Sequence, residues 1–222
     1  MTFKKIIDYI KMLQWLDTYK PVFPSPYEAL KQPEGLLCAG GNLETSTLLC
    51  AYKKGIFPWY DREQPILWWS PDPRMVLFPD DIHISTSMKK WLKKKSCHIT
   101  QNQCFQQVIQ FCAEQRANGT WITSEMKKAY LRLHEAGYAH SLEVWKGKEL
   151  VGGLYGPCIG QVFFGESMFS LIPNASKMAL IHLAQSMDLK MIDCQLYTDH
   201  LKSMGGKLIP RSKYLTCLNW WV

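Results

Sequence analysis

Apolar positions along the first part of the chain recur with a helical period. Phe3, Ile6, Ile7, Ile10 and Leu13 fall on one face and predict an amphipathic helix over the first seventeen residues. From residue 21 to 41 the period is lost among Pro21, Pro24, Pro26, Pro33, Gly35, Gly40 and Gly41, which predicts loop and turns. A helix is expected over 45–54, with Gly55 as its stop. A second irregular stretch follows, aromatic and proline-rich, from Gly55 through Trp68, Trp69, Pro71 and Pro73 to Arg74. A domain boundary is expected inside it, separating a small N-terminal domain (1–64) from a larger one (65–222).

Beyond that boundary the pattern alternates between periods of two and 3.6. Strands are expected at 74–78, 98–100, 140–145, 149–155, 161–168, 191–196 and 207–209. Helices are expected at 85–95, around Phe105, Val108, Ile109 and Cys112, at 123–135 with Thr123 as N-cap and Gly137 beyond the end, at 175–187 and at 199–204. Three meandering strands followed by helix, strand, helix, strand make one mixed sheet covered by helices. The fold class is α+β.

Composition narrows the function classes. With 222 residues, 47% hydrophobic and 20% charged, the chain buries a sizeable core and is not disordered as a whole. Lys and Arg number 26 against 19 Asp and Glu, a net +7, which points to a polyanionic partner without separating RNA, DNA and membrane surface. Nine Trp and an aromatic share of 13% suit stacking, an apolar pocket or a large core. Eight Cys with no Cys-x-x-Cys pair read as reduced thiols rather than a disulfide framework. Cys97-His98 lacks a second ligand pair, so no metal is expected. No apolar run approaches a transmembrane length, and Asp8 and Lys11 interrupt any signal-peptide core. The expectation is a soluble, cytoplasmic protein without a membrane partner.

Two groups of residues carry candidate chemistry. Lys89, Lys90, Lys93, Lys94 and Lys95, interleaved with Met88 and Trp91, would give a helix with one strongly positive face, suited to phosphates. An ordinary solvated helix explains such a run equally well. Glu166 and Asp193 each sit in a strand that otherwise reads as buried, where an unpaired carboxylate costs several kcal/mol. Alternation puts Asp193 and Gln195 on one face and Cys194 on the other. Two such carboxylates with a Gln beside one favour a site that holds a cation or an amine. Phe163 and Glu166 have opposite parity, so both face one site only if Gly165 allows a bulge. Gly152-Gly153 and Gly205-Gly206 match no phosphate loop, which disfavours a nucleotide or coenzyme A clamp, and no cofactor is expected. The six His are scattered, no nucleophile has an evident base, and His200 reads as a helix-start or backbone-pairing residue.

The order of several longer blocks is more specific. Phe23-Pro-Ser-Pro26, Gly35-Leu-Leu-Cys-Ala-Gly-Gly-Asn-Leu43, Ala51-Tyr-Lys-Lys-Gly-Ile-Phe-Pro-Trp59 and Trp68-Trp-Ser-Pro-Asp-Pro-Arg74 come first. Gly119-Thr-Trp-Ile-Thr123, His140-Ser-Leu-Glu-Val-Trp145, Gly165-Glu-Ser-Met-Phe-Ser170, Asn174-Ala-Ser-Lys177 and Ile192-Asp-Cys-Gln195 follow. Over roughly residues 23–218 the chain resembles the bacterial leucyl/phenylalanyl-tRNA–protein transferases. The resemblance implies transfer of Leu, Phe or Met from aminoacyl-tRNA to the N-terminal Arg or Lys of a protein, feeding N-end rule degradation. It also implies a GNAT-like (N-acyltransferase) C-terminal domain, no cofactor and a monomer.

By the same resemblance Asp193, Gln195 and Glu166 are the catalytic set. Trp59, Trp121, Tyr130, Leu154, Phe163, Ser167 and Thr198 are substrate-binding, with Leu154 in place of a Met and Thr198 in place of an Asn. From their charge, not from the resemblance, Lys89, Lys90, Lys93 and Lys94 are expected to meet the tRNA. Asp193, hydrogen-bonded to Gln195, is expected to orient the amine and take its proton, and Glu166 to hold the cationic residue. A non-catalytic RNA-binding module would explain the charge but not two strand carboxylates. A small-molecule N-acyltransferase would share the fold but lacks the coenzyme clamp.

Overall fold

The computed structural model describes residues 12–115 and 121–222. Most of the predicted N-terminal helix therefore lies outside the described residues. Where its pattern continues, the chain is extended: β1 (Gln14–Leu16) runs parallel to β2 (Leu36–Gly40), with Trp15 opposite Ala39. Leu13 and Leu16 are buried while Trp15 is exposed, so the alternation of a strand decides over a helical spacing completed by residues further back.

β2 is a correction to the loop expected over 21–41. Leu36-Leu37-Cys38-Ala39 is fully buried, and a strand buried on both faces shows no alternation to read. Helix α1 (Thr45–Lys53) ends at Gly55, whose φ of +73° supplies the stop. The irregular aromatic stretch holds β3 (Phe57–Pro58) and β4 (Leu67–Trp69), which complete a four-stranded sheet ordered β1-β2-β4-β3. The chain passes from this sheet to the next over 70–73.

The second sheet opens with β5 (Arg74–Leu77). Its remaining strands are β6 (His98–Gln101), β7 (Ala139–Lys146), β8 (Glu149–Ile159), β9 (Val162–Phe164), β10 (Ser167–Ser170), β11 (Met191–Gln195) and β12 (Lys207–Ile209). The order is β12-β5-β11-β9-β8-β7-β6, with β10 also on β8. All pairings are antiparallel except β9 with β11, which gives the mixed sheet and the α+β class expected. The stretch read as one strand over 161–168 is two. β9 pairs with the end of β8 and with β11, then the chain breaks at Gly165-Glu166 and β10 pairs with the middle of β8.

Both faces of this sheet are covered, and alternate residues divide between two apolar cores. Met191, Val162, Phe164 and Tyr155 join the core beneath the first sheet, α1, α3 (Phe105–Glu114), α4 (Ser124–Glu135) and α7 (Arg211–Trp221). Ile192, Phe163, Leu154 and Leu77 join the core beneath α2 (Thr86–Lys93), α5 (Ala175–Ser186) and α6 (Asp199–Ser203). Thr123 caps α4 as expected, its hydroxyl accepting from the Met126 amide. Helix α5 crosses β8 so closely that a Cβ on Gly152 would lie 2.5 Å from the Ala175 Cβ. Close approach, rather than a bulge or a phosphate, accounts for that glycine. Among the described residues, no helix is long and apolar enough to cross a membrane.

Candidate active site

Parallel strands β9 and β11 run side by side until Phe164 faces Asp193, where the Gly165 amide donates to the Asp193 carbonyl at 2.9 Å. Past that bond the two chains diverge. The gap at the carboxyl ends of parallel strands is where a sheet of this kind leaves room for a ligand. A cavity of about 450 Å³ opens there. Its walls are mostly apolar: Phe57, Pro58, Trp59 and Trp121 on one side, Leu154, Phe163, Met168, Leu180, Leu183 and Ile192 on the other. Glu166, Ser167, Cys194, Gln195, Leu196, Thr198, His200 and Leu201 complete the lining.

Glu166 is 6% exposed and lines the cavity. One carboxylate oxygen accepts from the Tyr52 hydroxyl at 2.7 Å and from the Gln195 side-chain amide at 3.0 Å. Behind it the Tyr52 and Tyr130 hydroxyls are hydrogen-bonded to each other. Burial pushes the Glu166 carboxyl up to about 7. Its hydrogen bonds to Tyr52, Tyr130 and Gln195 oppose that shift, and the nearby charge of Asp193 adds to it. Burial also holds the two phenols well above their ordinary range, so they remain donors.

Asp193 is different. It is fully buried, does not line the cavity, and has four donors. One oxygen accepts from Arg74 Nε at 2.8 Å and from the Gln195 amide N–H at 2.9 Å. The other accepts from Arg74 Nη2 at 2.7 Å and from the Tyr214 hydroxyl at 2.7 Å. Arg74 is itself buried. Its guanidinium lies 4.7 Å from the centroids of both Phe57 and Tyr214 and reaches the Gly55 carbonyl at 3.3 Å. Burial alone would weaken the charge on Arg74, but the facing carboxylate outweighs it and holds the guanidinium charged.

Asp193 is hydrogen-bonded to Gln195 as expected, through that residue's backbone amide, and both its oxygens are occupied away from the cavity. The expected alternation fails. Gln195 has φ of +61° and the register with β5 shifts between Asp193 and Gln195, so Cys194 and Gln195 both reach the cavity wall. A left-handed non-glycine residue costs about 1–3 kcal/mol, and the Asp193–amide bond holds it in place. The Gly165 expectation takes another form. The break between β9 and β10, rather than a bulge within one strand, lets Phe163 and Glu166 line the same cavity.

Of the other expected residues, Trp59, Trp121, Leu154, Phe163, Ser167 and Thr198 line the cavity. Tyr130 does not; its ring packs on Tyr155, and its hydroxyl meets Tyr52 and supports Glu166 from behind the cavity. Thr198 caps α6, its hydroxyl accepting from the Leu201 amide at 3.1 Å. His200 pairs with no backbone group through Nε2, which is buried without a partner among the described residues. Burial, then the charge of Lys177, lower its pKa. Lys89, Lys90, Lys93 and Lys94 are exposed on or just beyond α2 and contribute nothing to the cavity wall. Arg74, Tyr52 and Tyr214 were not anticipated as site residues. The available signal was a charged residue opening the apolar strand Arg74–Leu77, whose partner lies 119 positions away. A larger, more open depression around Gln103, Gln107, Gln110 and His134 contains none of the expected residues.

Comparison with known proteins adds an independent line. The family model for the leucyl/phenylalanyl-tRNA protein transferase matches residues 76–219, and that for its N-terminal domain matches residues 41–72. Curated relatives named leucyl/phenylalanyl-tRNA–protein transferase include that of Chromohalobacter salexigens, 50% identical over 95% of this chain and 84% of its own length. Those of Saccharophagus degradans and Shigella dysenteriae are each 52% identical, over 91% and 92% of this chain and 85% and 88% of their own. Among solved structures, a GCN5-related N-acetyltransferase from Kribbella flavida covers 72% of this chain and 58% of its own at 9% identity, with a TM-score of 0.37. That overlap is too loose to bear on the mechanism.

Proposed function

Because the chain belongs to the leucyl/phenylalanyl-tRNA–protein transferase family, enzymes that move an aminoacyl group from tRNA to protein, we propose that the cavity beside Glu166 is where that transfer occurs. The donor is Leu-, Phe- or Met-tRNA, the acceptor a protein with N-terminal Arg or Lys, and the working unit a cytoplasmic monomer that feeds N-end rule degradation. One observation carries the reading. Of two buried carboxylates, Asp193 is paired with the buried guanidinium of Arg74 and Glu166 has only neutral partners, Tyr52 and Gln195, so the site is one positive charge short. A carboxyl poised near 7 either takes up a proton or meets a cation. The acceptor's N-terminal Arg or Lys, with its α-amine, supplies that cation beside Glu166 in a mostly apolar cavity.

Roles follow from this charge count. The amine attacks the ester carbonyl, the new amide bond forms, the bond to the ribose oxygen breaks, and the proton lost by the amine ends on that oxygen. An α-amine has a pKa of about 7.7–8.0, so freeing it at neutral pH costs only about 1 kcal/mol. Holding two substrates in register contributes roughly 7–11 kcal/mol, so positioning outweighs base strength. Glu166, with Gln195 beside it, contacts the acceptor. Asp193 is a positioning residue that acts through the Gln195 backbone rather than taking the proton. Trp59, Trp121, Leu154 and Phe163 shape the slot for an amino acid unbranched at Cβ, Ser167 and Thr198 flank it, and Lys89, Lys90, Lys93 and Lys94 meet the phosphates of the acceptor stem.

The test is direct. Purified protein is incubated with charged Leu-tRNA, Phe-tRNA or Met-tRNA and a model protein beginning with Arg, Lys or Gly, and transfer is followed by mass. Addition of one residue to the Arg and Lys proteins only is the expected result. No transfer from any of these donors, or equal transfer to the Gly protein, would overturn the reading.

A further inference from the structure

Within the run that closes the cavity, Leu196 and Thr198 face the wall and Tyr197 between them faces out. Its side chain is 44% exposed and belongs to neither apolar core. It is nonetheless fixed: the phenol donates to Asp199 at 2.7 Å, at the start of α6. One turn later the exposed Lys202 holds its ammonium 5.9 Å from the ring centroid. Leu196 and Trp59, 40% and 38% exposed, mark the same cavity mouth. An aromatic ring held in place beside an exposed ammonium, at the exit of a pocket, has the parts of a base-stacking platform.

We infer that Tyr197 and Lys202 receive the unpaired nucleotide that precedes the aminoacylated terminal nucleoside, Tyr197 stacking on its base and Lys202 meeting the intervening phosphate. The inference rests on the transferase reading, since it assumes that the aminoacyl group and terminal nucleoside occupy the cavity. The donor strand must then leave through the mouth, past this ring. Stacking tolerates any base because every base has a π-face, so the platform grips the strand without reading its sequence. The aromatic ring, not the phenol hydroxyl, does the binding.

Two synthetic donors separate the platform from the pocket: leucyl-adenosine, which ends at the terminal nucleoside, and leucyl-cytidylyl-adenosine, which adds one nucleotide. The quantity read is the ratio of their KM values for transfer to an N-terminal-Arg peptide. Wild-type protein should prefer the dinucleotide donor, and Tyr197→Ala should shrink that preference by about 5- to 150-fold. Tyr197→Trp and Tyr197→Phe should keep it, and Lys202→Ala should shrink it less but abolish its dependence on salt. An unchanged ratio in Tyr197→Ala, or equal loss with both donors, would overturn the platform. Absence of wild-type transfer from whole charged tRNA would instead sink the transferase reading itself.

Discussion

Asp193→Asn separates the two roles open to that carboxylate. The substitution keeps the side chain's shape, removes its charge and leaves the Arg74 guanidinium, 1% exposed, without a counter-ion. Removing one partner of a buried ion pair costs about 3–5 kcal/mol, because the other charge stays desolvated. For a chain of this size that is a fall in melting temperature of about 6–20 °C. Arg74→Met should cost as much, since Asp193 keeps only the Tyr214 hydroxyl and the Gln195 amide. The double variant Arg74→Met/Asp193→Leu removes both charges, and an apolar pair of similar volume is often near neutral. It should therefore be more stable than either single variant.

Urea unfolding followed by the fluorescence of the nine Trp gives the stabilities. Single-turnover transfer gives the activities. If Asp193 positions Gln195, activity in all three variants falls with the loss of the left-handed turn, and the single variants are also unstable. A folded Asp193→Asn of wild-type stability that has lost all transfer would refute this account and restore Asp193 as the base.

Three further outcomes follow. The folded-state pKa of Glu166 is raised, to about 7 against an ordinary 4.5, so the folded chain binds the extra proton between those values. Stability should fall by at most about 3 kcal/mol as pH rises from about 4.5 through 7 and then level off, and Glu166→Gln should flatten that slope in urea midpoints measured at pH 5–8. Leu154→Phe narrows the slot beside Phe163 and Ile192, so kcat/KM for Phe-tRNA should fall relative to Leu-tRNA by roughly 10-fold or more, as for one misplaced carbon in an apolar pocket. Replacing Lys89, Lys90, Lys93 and Lys94 by Ala should weaken tRNA binding and lower the slope of log affinity against log salt by about one for each phosphate no longer neutralised. An unchanged slope would remove this helix from the tRNA interface.

Elements whose signals are local are legible in the chain itself. The stop at Gly55, the Thr123 cap, strand 207–209 and helix 175–187 each depend on a residue type acting within a few positions. What escapes is whatever a distant partner decides. The strand Leu36–Gly40 carries no alternation because both its faces are covered. Helix Arg211–Trp221 has apolar residues spread around it rather than along one stripe, and was not anticipated. In the site, Glu166, Gln195 and most of the apolar wall could be named in advance through the family motifs. Arg74, Tyr52 and Tyr214 could not, because what makes them part of the site is contact across 114, 119 and 21 positions. The direction of Asp193 was missed for a related reason: one backbone angle at Gln195 breaks the rule that assigns faces.

Donors to the two carboxylates come from residue 52, residue 74 and residue 214 of the chain. A ribosome adds about 5–20 residues each second. The 140 positions that separate Arg74 from Tyr214 therefore occupy roughly 7–30 s of synthesis at that rate. Over the last 21 of those positions, about 1–4 s, a nascent chain carries both acids and their guanidinium without the last phenol and without the helix that brings it. The centre becomes competent only once the segment around residue 214 has emerged, so an incomplete chain, though it already displays the lysine-rich helix, has no finished site with which to label its neighbours.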